Sequence, residues 1–473
     1  MSEEKQFASD CEILSIPIWK VGEDNGKPHA NLMGIAASFR YYEDVLWPSY
    51  GGSIVVMDTG MNLISTMPIQ GFEKVVFNVR MSGEEKSYNF RVWSVTNRIV
   101  LDRKQSYTLN LISEEGLVNE GVRVNNIREG KTSDVVKKII QEFFNVEMKD
   151  EQVDESVTSI KILPAKKSPY SLIRSLQTKT VSLPVVPTQT SKTISKPDDK
   201  KVESSHVGKN VDSAKGSAGY YFYQNYNGFN FKSIDVLANQ KPTNTGDNPY
   251  FYGSGKTEYE STMKIQEIQY GTEINMMKNL REGSYSSLVC FFNINTGKYN
   301  ERLFSLKDTW DNMVHLGNEE KELPYGQSEL SSRPTRIMST VVNHENWNMG
   351  DGIADSEDPN RDTKFEYTDN QMDYLSQSYA RSGIMTTNQL TISLTGHLEL
   401  VVGDLVNVEV PNNVPDANKE TEPFDQEYSG TYLIKKLNHQ FDISHQTVYT
   451  VLELIRDSTG IRENSTNNDV ILY

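Results

Sequence analysis

Val75-Val76-Phe77-Asn78-Val79-Arg80-Met81-Ser82-Gly83-Glu84-Glu85-Lys86-Ser87-Tyr88-Asn89-Phe90-Arg91-Val92 is the stretch that sets the class of this chain. Val75, Phe77, Val79 and Met81 alternate with Val76, Asn78 and Arg80, a period of two that lines one strand face with apolar side chains. Ser82-Gly83-Glu84-Glu85 supplies a turn, with glycine taking the backbone angles that other residues avoid. Tyr88, Phe90 and Val92 then alternate back, which predicts a β-hairpin.

The same grammar extends outward on both sides. Ser53-Ile54-Val55-Val56-Met57-Asp58 is a short β-rich run closed by Asp58-Thr59-Gly60, and Tyr107, Leu109 and Leu111 mark one more strand. Short strands at this spacing predict a small barrel or sandwich over 11–112, preceded by a polar arm at 1–10. The period then changes. Val135, Val136, Ile139, Ile140 and Phe143 recur at helical spacing, with Thr132 or Ser133 as the expected N-cap and Asp134 in the first turn. A second amphipathic stretch runs from Pro169 to Leu176, giving a mixed α/β portion over 113–180.

Residues 181–217 are dominated by Ser, Thr, Lys, Pro, Asp and Val and hold almost no aromatics. Such a segment cannot bury enough apolar surface to offset its ordering entropy, so it reads as a flexible linker or insertion and as the first site of cutting in limited proteolysis. Order returns at Tyr220-Tyr221-Phe222-Tyr223. A mixed portion over 218–345 is expected to hold a helix from Ile265 to Leu280 and a strand from Leu288 to Ile294, closed by the turn Asn295-Thr296-Gly297. An acidic loop follows over 346–370, then a helix from Gln371 to Arg381. Strands are expected at Gln389–Leu394, Leu398–Val402, Leu405–Val410, Thr431–Leu437 and Thr447–Leu454. These place a second β-rich block over 371–457, with a tail at 458–473.

Composition narrows the function. The 473 residues leave room for several domains at about 100–200 residues each. A hydrophobic content of 37% and a mean hydropathy of −0.56 describe a polar, water-soluble chain. No run approaches the ~18 apolar residues of a membrane span, and the start Met1-Ser2-Glu3-Glu4 shows no secretory leader. The net charge of −16 argues against gripping nucleic-acid phosphates. Cys11 and Cys290, far apart and each beside apolar residues, read as two buried thiols rather than a lone disulfide. With 24 Tyr, 17 Phe and 5 Trp, the chain suits strands and interfaces.

Each chemical motif fails at a named residue. Gly253-Ser254-Gly255-Lys256-Thr257 ends like a phosphate loop, but Tyr250 stands where the first glycine is needed; for Gly130-Lys131-Thr132 that place is taken by Asn125. Asp351, Asp355, Glu357, Asp358 and Asp362 lack the register and central glycine of a calcium-binding loop and read as a solvated acidic loop. His344-Glu345 belongs to no HExxH pattern. His439 and His445 flank Phe441 and Ile443 in an expected hairpin and read as satisfied strand histidines. No nucleophile elbow is present. No catalytic residue, cofactor-binding residue or metal ligand is assigned, and the chain is read as no enzyme. Cofactors: none.

What remains is order and arrangement, and here a family resemblance enters. Ile35-Ala36-Ala37-Ser38-Phe39-Arg40-Tyr41-Tyr42-Glu43-Asp44-Val45-Leu46-Trp47-Pro48-Ser49 resembles the central baseplate hub proteins of contractile-tailed bacteriophages. The pattern continues through Met57–Ile64, Met67–Glu73, Tyr107–Glu115, Asn119–Val124, Phe222 and Asn227–Asp235. Gly396-His397, Val402–Val408 and Gly430–Ile434 are similar to the final barrel shared by phage hubs and type VI secretion spike proteins. The resemblance spans most of the chain outside the arm and the 181–217 segment.

The resemblance implies an α+β, mostly β fold with two small tube-like β-barrel domains and a mixed α/β portion. It implies a virion protein of the tail baseplate, assembled in the host cytoplasm, that forms a homotrimeric ring. The ring would join the six-fold tail tube, or its initiator, to the three-fold central spike, contact the baseplate wedge proteins and let DNA pass without specific binding. No membrane partner is expected. A hub-associated cell-wall-degrading enzyme and a glycan-binding tail protein are the alternatives.

Overall fold

A computed structural model describes residues 11–459 apart from 186–216, 318–332, 342–346, 350–362 and 413–423, with short breaks at 25, 103, 245–247, 254–261, 272–274, 293–296, 298, 311–312 and 426. Eight strands form the first block: β1 (Glu12–Ser15), β2 (Pro17–Trp19), β3 (Ala30–Asn31), β4 (Ala36–Asp44), β5 (Gly51–Asp58), β6 (Lys74–Met81), β7 (Glu84–Leu101) and β8 (Lys104–Ile112). The hairpin read from sequence is β6–β7, paired from Lys74↔Arg91 to Met81↔Glu84. Its turn is the two residues Ser82 (φ 50°) and Gly83 (φ 82°), tighter than the four-residue turn expected, since two left-handed residues match the strand twist.

In the middle of the chain, β9 (Arg128–Lys131) pairs with β10 (Thr158–Ile162), and β11 (Tyr220–Asn225) with β12 (Gly228–Ser233). The helices Thr132–Phe144 and Pro169–Gln177 lay their apolar faces, including Val136, Ile140, Tyr170 and Ile173, against Phe222, Phe229 and Phe231 of that hairpin. Lys131, not Thr132 or Ser133, occupies the N-cap of the first helix. Thr132 instead turns its hydroxyl to the Thr158 carbonyl (3.1 Å) and Ser133 turns to Ser156, so both serve the contact with the strand rather than the helix end.

Further along lie β13 (Tyr250–Phe251), β14 (Glu267–Tyr270), β15 (Ser286–Phe292), β16 (Tyr299–Ser305), β17 (Arg336–Val341) and β18 (Trp347–Met349). The helix expected over Ile265–Leu280 is therefore divided. Glu267–Tyr270 is an edge strand, and among the described residues of that span the helix is Met276–Glu282, capped by Asn275 and ended by Gly283 at φ 71°. The helix expected from Gln371 is longer, Thr363–Met385, and takes in part of the acidic stretch. The remainder of that loop, residues 350–362, lies outside the described residues, as do most of the 181–217 segment and the turn Asn295-Thr296. The ends of the 181–217 segment are anchored: Val181 bridges Ala218, and Val181, Ser182 and Ser217 are buried.

The second block contributes β19 (Asn388–Thr395), β20 (Leu405–Glu409), β21 (Gly430–Asp442) and β22 (Thr447–Arg456). Leu398–Val402 is a buried turn, not a strand, because His397 (φ 68°) and Gly403 (φ 92°) bend the chain on either side of it. The architecture is α+β and mostly β, and the two β-rich blocks are one sheet. Fourteen strands run β14-β19-β22-β21-β4-β5-β8-β7-β6-β2-β3, with β1 beside β6, β20 beside β21 and β13 beside β20. One hydrophobic core follows the sheet across both blocks, from Ile13, Phe77 and Leu109 to Leu390, Leu437 and Leu452.

Candidate functional site

The blocks meet along β4 and β21, antiparallel over seven residue pairs from Lys436↔Asp44 to Asp442↔Ser38. Alternation sends Phe39, Tyr41 and Glu43 inward from β4, opposite Phe441, His439 and Leu437 of β21. Directly opposed aromatic pairs strengthen such a seam. Phe39 stacks on Phe441 with centroids 5.6 Å apart, and Tyr41 lies over the His439 ring at 6.0 Å and 13°. Phe77, Tyr88 and Phe90 close the cluster from the first block.

Glu43 extends the seam into a three-way junction. Its Oε1 accepts hydrogen bonds from the Tyr41 hydroxyl (2.6 Å) and the Tyr226 N–H (2.6 Å), and its Oε2 accepts from the Val402 N–H (2.9 Å). One carboxyl thus holds β4, the turn between β11 and β12, and the 397–404 turn. Burial pushes its pKa up to about 7 although all three donors pull it down. Burial also pushes nearby Asp404 up to about 6. Lys86 donates to the Leu398 carbonyl (2.6 Å) and sits 4.9 Å over the Tyr226 ring, fastening the same corner from β7.

His439 is the satisfied strand histidine expected from sequence. Thr450 donates its hydroxyl proton to the Gly396 carbonyl, so the 2.9 Å contact between His439 Nδ1 and Thr450 Oγ1 requires Nδ1 to carry the proton of a neutral ring. Burial pushes this histidine down to about 3. His445 lies at the turn beyond, exposed, with Nδ1 2.8 Å from Asp442.

A second buried polar cluster ties the end of β22 to the middle of the chain. Arg381, from the long helix, meets Asp457 through Nη1 and Asp235 through Nη2 (3.2 Å), and donates to the Val314 carbonyl. His315 Nδ1 lies 2.8 Å from Asp457 and its ring stacks on Trp310 at 3.7 Å. The Arg381 guanidinium and the hydrogen bonds from the His315 ring and the Leu316 N–H hold Asp457 well below the usual carboxylate range despite burial.

The opposite face of the seam is open. Tyr42, Trp47, Trp93, Leu111, Lys436 and Val451 border a mainly apolar groove of about 770 Å³. Arg174 lies over the Trp47 ring at 5.9 Å. This arrangement can hold a hydrophobic partner, and the buried faces behind it join the two blocks through one core.

Of the phosphate-loop, acidic-loop and His-Glu candidates in the sequence, one lies wholly within the described residues. Gly130-Lys131-Thr132 is a strand-to-helix junction whose threonine hydroxyl is engaged with Thr158. Ser254-Gly255-Lys256-Thr257, His344-Glu345 and the acidic residues 351–362 lie outside the described residues. Cys11 and Cys290 are both buried thiols outside any disulfide. Among the described residues no group of three His, Cys, Asp or Glu side chains could hold a metal ion, and no helix is long and apolar enough to cross a membrane. Sequence reading missed Glu43 and Arg381. Each looked like an ordinary polar residue, and the only local signal was Glu43 falling in phase with Phe39 and Tyr41.

No protein-family model matches the chain, and no curated protein matches it. Among solved structures, the fold is similar to a tail protein from Neisseria meningitidis (12% identity, 94% of this chain and 96% of that one, TM-score 0.49). It is also similar to a prophage 43 kDa tail protein from Shewanella oneidensis (8% identity, 94% and 99%, TM-score 0.47). A third is an Escherichia coli component of the type VI secretion system with structural similarity to T4 bacteriophage tail proteins (9% identity, 96% and 79%, TM-score 0.36).

Proposed function

We propose that the chain is a non-catalytic hub subunit of a contractile phage tail baseplate, in the virion, and that three copies form a ring between the six-fold tail tube and the three-fold spike. The observation that carries this reading is the seam. Two β-rich blocks joined edge to edge through β4 and β21, over one core, give a single subunit with two sheet-bearing halves. Three such subunits present six halves, which is what a three-to-six-fold adaptor requires. The ordered sequence runs resembling the hub family fall on this framework: Ile35–Ser49 contains β4, and Gly430–Ile434 opens β21.

In this reading the blocks over 11–112 and 371–457 are the two tube-like barrels, and a cyclic trimer closes through heterologous interfaces. An obligate assembly of this kind should bury roughly 2,000 Å² or more at each interface. The net charge of −16 suits a channel that passes DNA without holding it, since carboxylates repel phosphate within a screening length of about 8–10 Å. Tube or tube-initiator, wedge and spike proteins are the partners. The test is the solution mass of the purified chain, alone and mixed with the spike protein of the same tail. A trimer that binds the spike is expected, and a stable monomer that ignores the spike contradicts the proposal.

A further inference from the structure

The far end of β7 is an open edge of the sheet. β6 accompanies β7 only as far as Arg91, whereas β5 stays beside β8 to Gln105, so from Val92 to the hairpin tip β7 is flanked by β8 alone among the described residues. That tip carries Ile99, Val100 and Leu101, exposed to 57%, 60% and 71%. Single exposed apolar residues are ordinary, whereas three in succession at the tip of an open edge strand mark a contact surface. Trp93 is on the same strand and borders the groove at the seam, where it and Trp47 are 56% and 54% exposed.

The tip cannot fill this groove on its own subunit. From Ser94 to Ile99 the strand bulges and runs alongside four residues of β8, Asn110 to Ser106, roughly 13 Å at 3.3 Å per residue, and the ladder to β8 holds the tip at that distance from the groove. The occupant therefore comes from another chain, and charge identifies a suitable one. The tip is basic in an acidic protein, with Arg98 and Lys104 against Asp102. At the groove Glu453 is already held by Lys435 and Lys436, and Asp44 accepts the Leu46 N–H, which leaves the exposed Glu120 as the carboxylate that faces a basic partner. Its lining is mainly apolar, which suits Ile99-Val100-Leu101 better than a sugar.

We propose that the β7–β8 tip of one subunit docks into the Trp47–Trp93 groove of a second copy of this chain. Tip and groove are different surfaces, so the contact is head-to-tail and can close a ring. This inference rests on the proposed trimer and names the contact that builds it.

Sedimentation across a concentration series tests it with three variants: Val100→Asp/Leu101→Asp, Arg98→Glu/Lys104→Glu, and the latter combined with Glu120→Lys. All these side chains are exposed, so folding should be retained, and circular dichroism checks that it is. Each tip variant should weaken assembly by at least roughly tenfold, and Glu120→Lys should restore part of the loss in the charge-reversed tip. Tip variants that assemble as tightly as the wild type overturn this contact while leaving the trimer and the hub reading intact. Saturable glycan binding that Trp93→Ala abolishes, with assembly unaffected, assigns the groove to sugar and also overturns it. A wild type that stays monomeric and ignores the spike overturns the hub reading itself, and this contact with it.

Discussion

Glu43 concentrates the energetics of the junction in one side chain. Three donors converge on a carboxyl that is fully buried, and removing their acceptor would strand them at about 1–3 kcal/mol each. Its pKa is raised from 4.5 to about 7, so its contribution to stability is fully present below pH 4.5 and is lost as pH rises through about 7. Glu43→Gln removes this titration. The cost of the substitution should therefore be smaller at pH 8 than at pH 5.5, by about 2 kcal/mol, measured by urea denaturation at both values. His439 works in the opposite sense, because its lowered pKa makes the fold lose stability as pH falls below 6.5. It is common to both proteins and cancels in the comparison. An equal cost at both pH values would contradict the assignment. In the sequence Glu43 is one more polar residue in a strand. Its partners Tyr226 and Val402 lie 183 and 359 residues away, and no local pattern signals them.

At the scale of elements, what was legible is what local physics decides. The β6–β7 hairpin, the strands β5, β8, β19, β20 and β22, and the helices Thr132–Phe144 and Pro169–Gln177 follow from periodicity and turn residues. Elements settled by a distant partner were misread. β14 is a strand because the edge of β19 offers its backbone groups for pairing, and Leu398–Val402 is a turn because its N–H groups go to Glu43 and Asp404. The long helix was recognised in part, but the role of Arg381 was not. That residue clamps the helix to Asp457 after β22 and to Asp235 after β12, all three buried. Arg381→Met should cost about 3–5 kcal/mol by leaving two carboxylates uncompensated, and adding Asp457→Asn should return part of the loss. Calorimetric melting of the single and double variants checks this, and a single variant within 1 kcal/mol of the wild type (by order of magnitude) would show that the cluster is dispensable. At the seam itself, Phe441→Ala should cost about 3–5 kcal/mol in the same assay, since its ring packs on both Phe39 and Phe77.

At the scale of the molecule, two β-rich blocks were visible as separate stretches of alternation, but their union was not. The β4–β21 ladder joins residues about 400 positions apart, and a strand's sequence does not say which edge it will find. That union puts two sheet-bearing halves on one sheet and over one core, from which the adaptor function is proposed. The central claim is that three copies of this 53.7 kDa chain close into a ring that imitates six-fold symmetry. Electron-microscopic class averages of the purified assembly, viewed down its axis, test that claim most directly. The account predicts a closed three-fold ring whose inner wall shows six similar densities around a channel. Two-fold particles, or single subunits at every concentration, would contradict it.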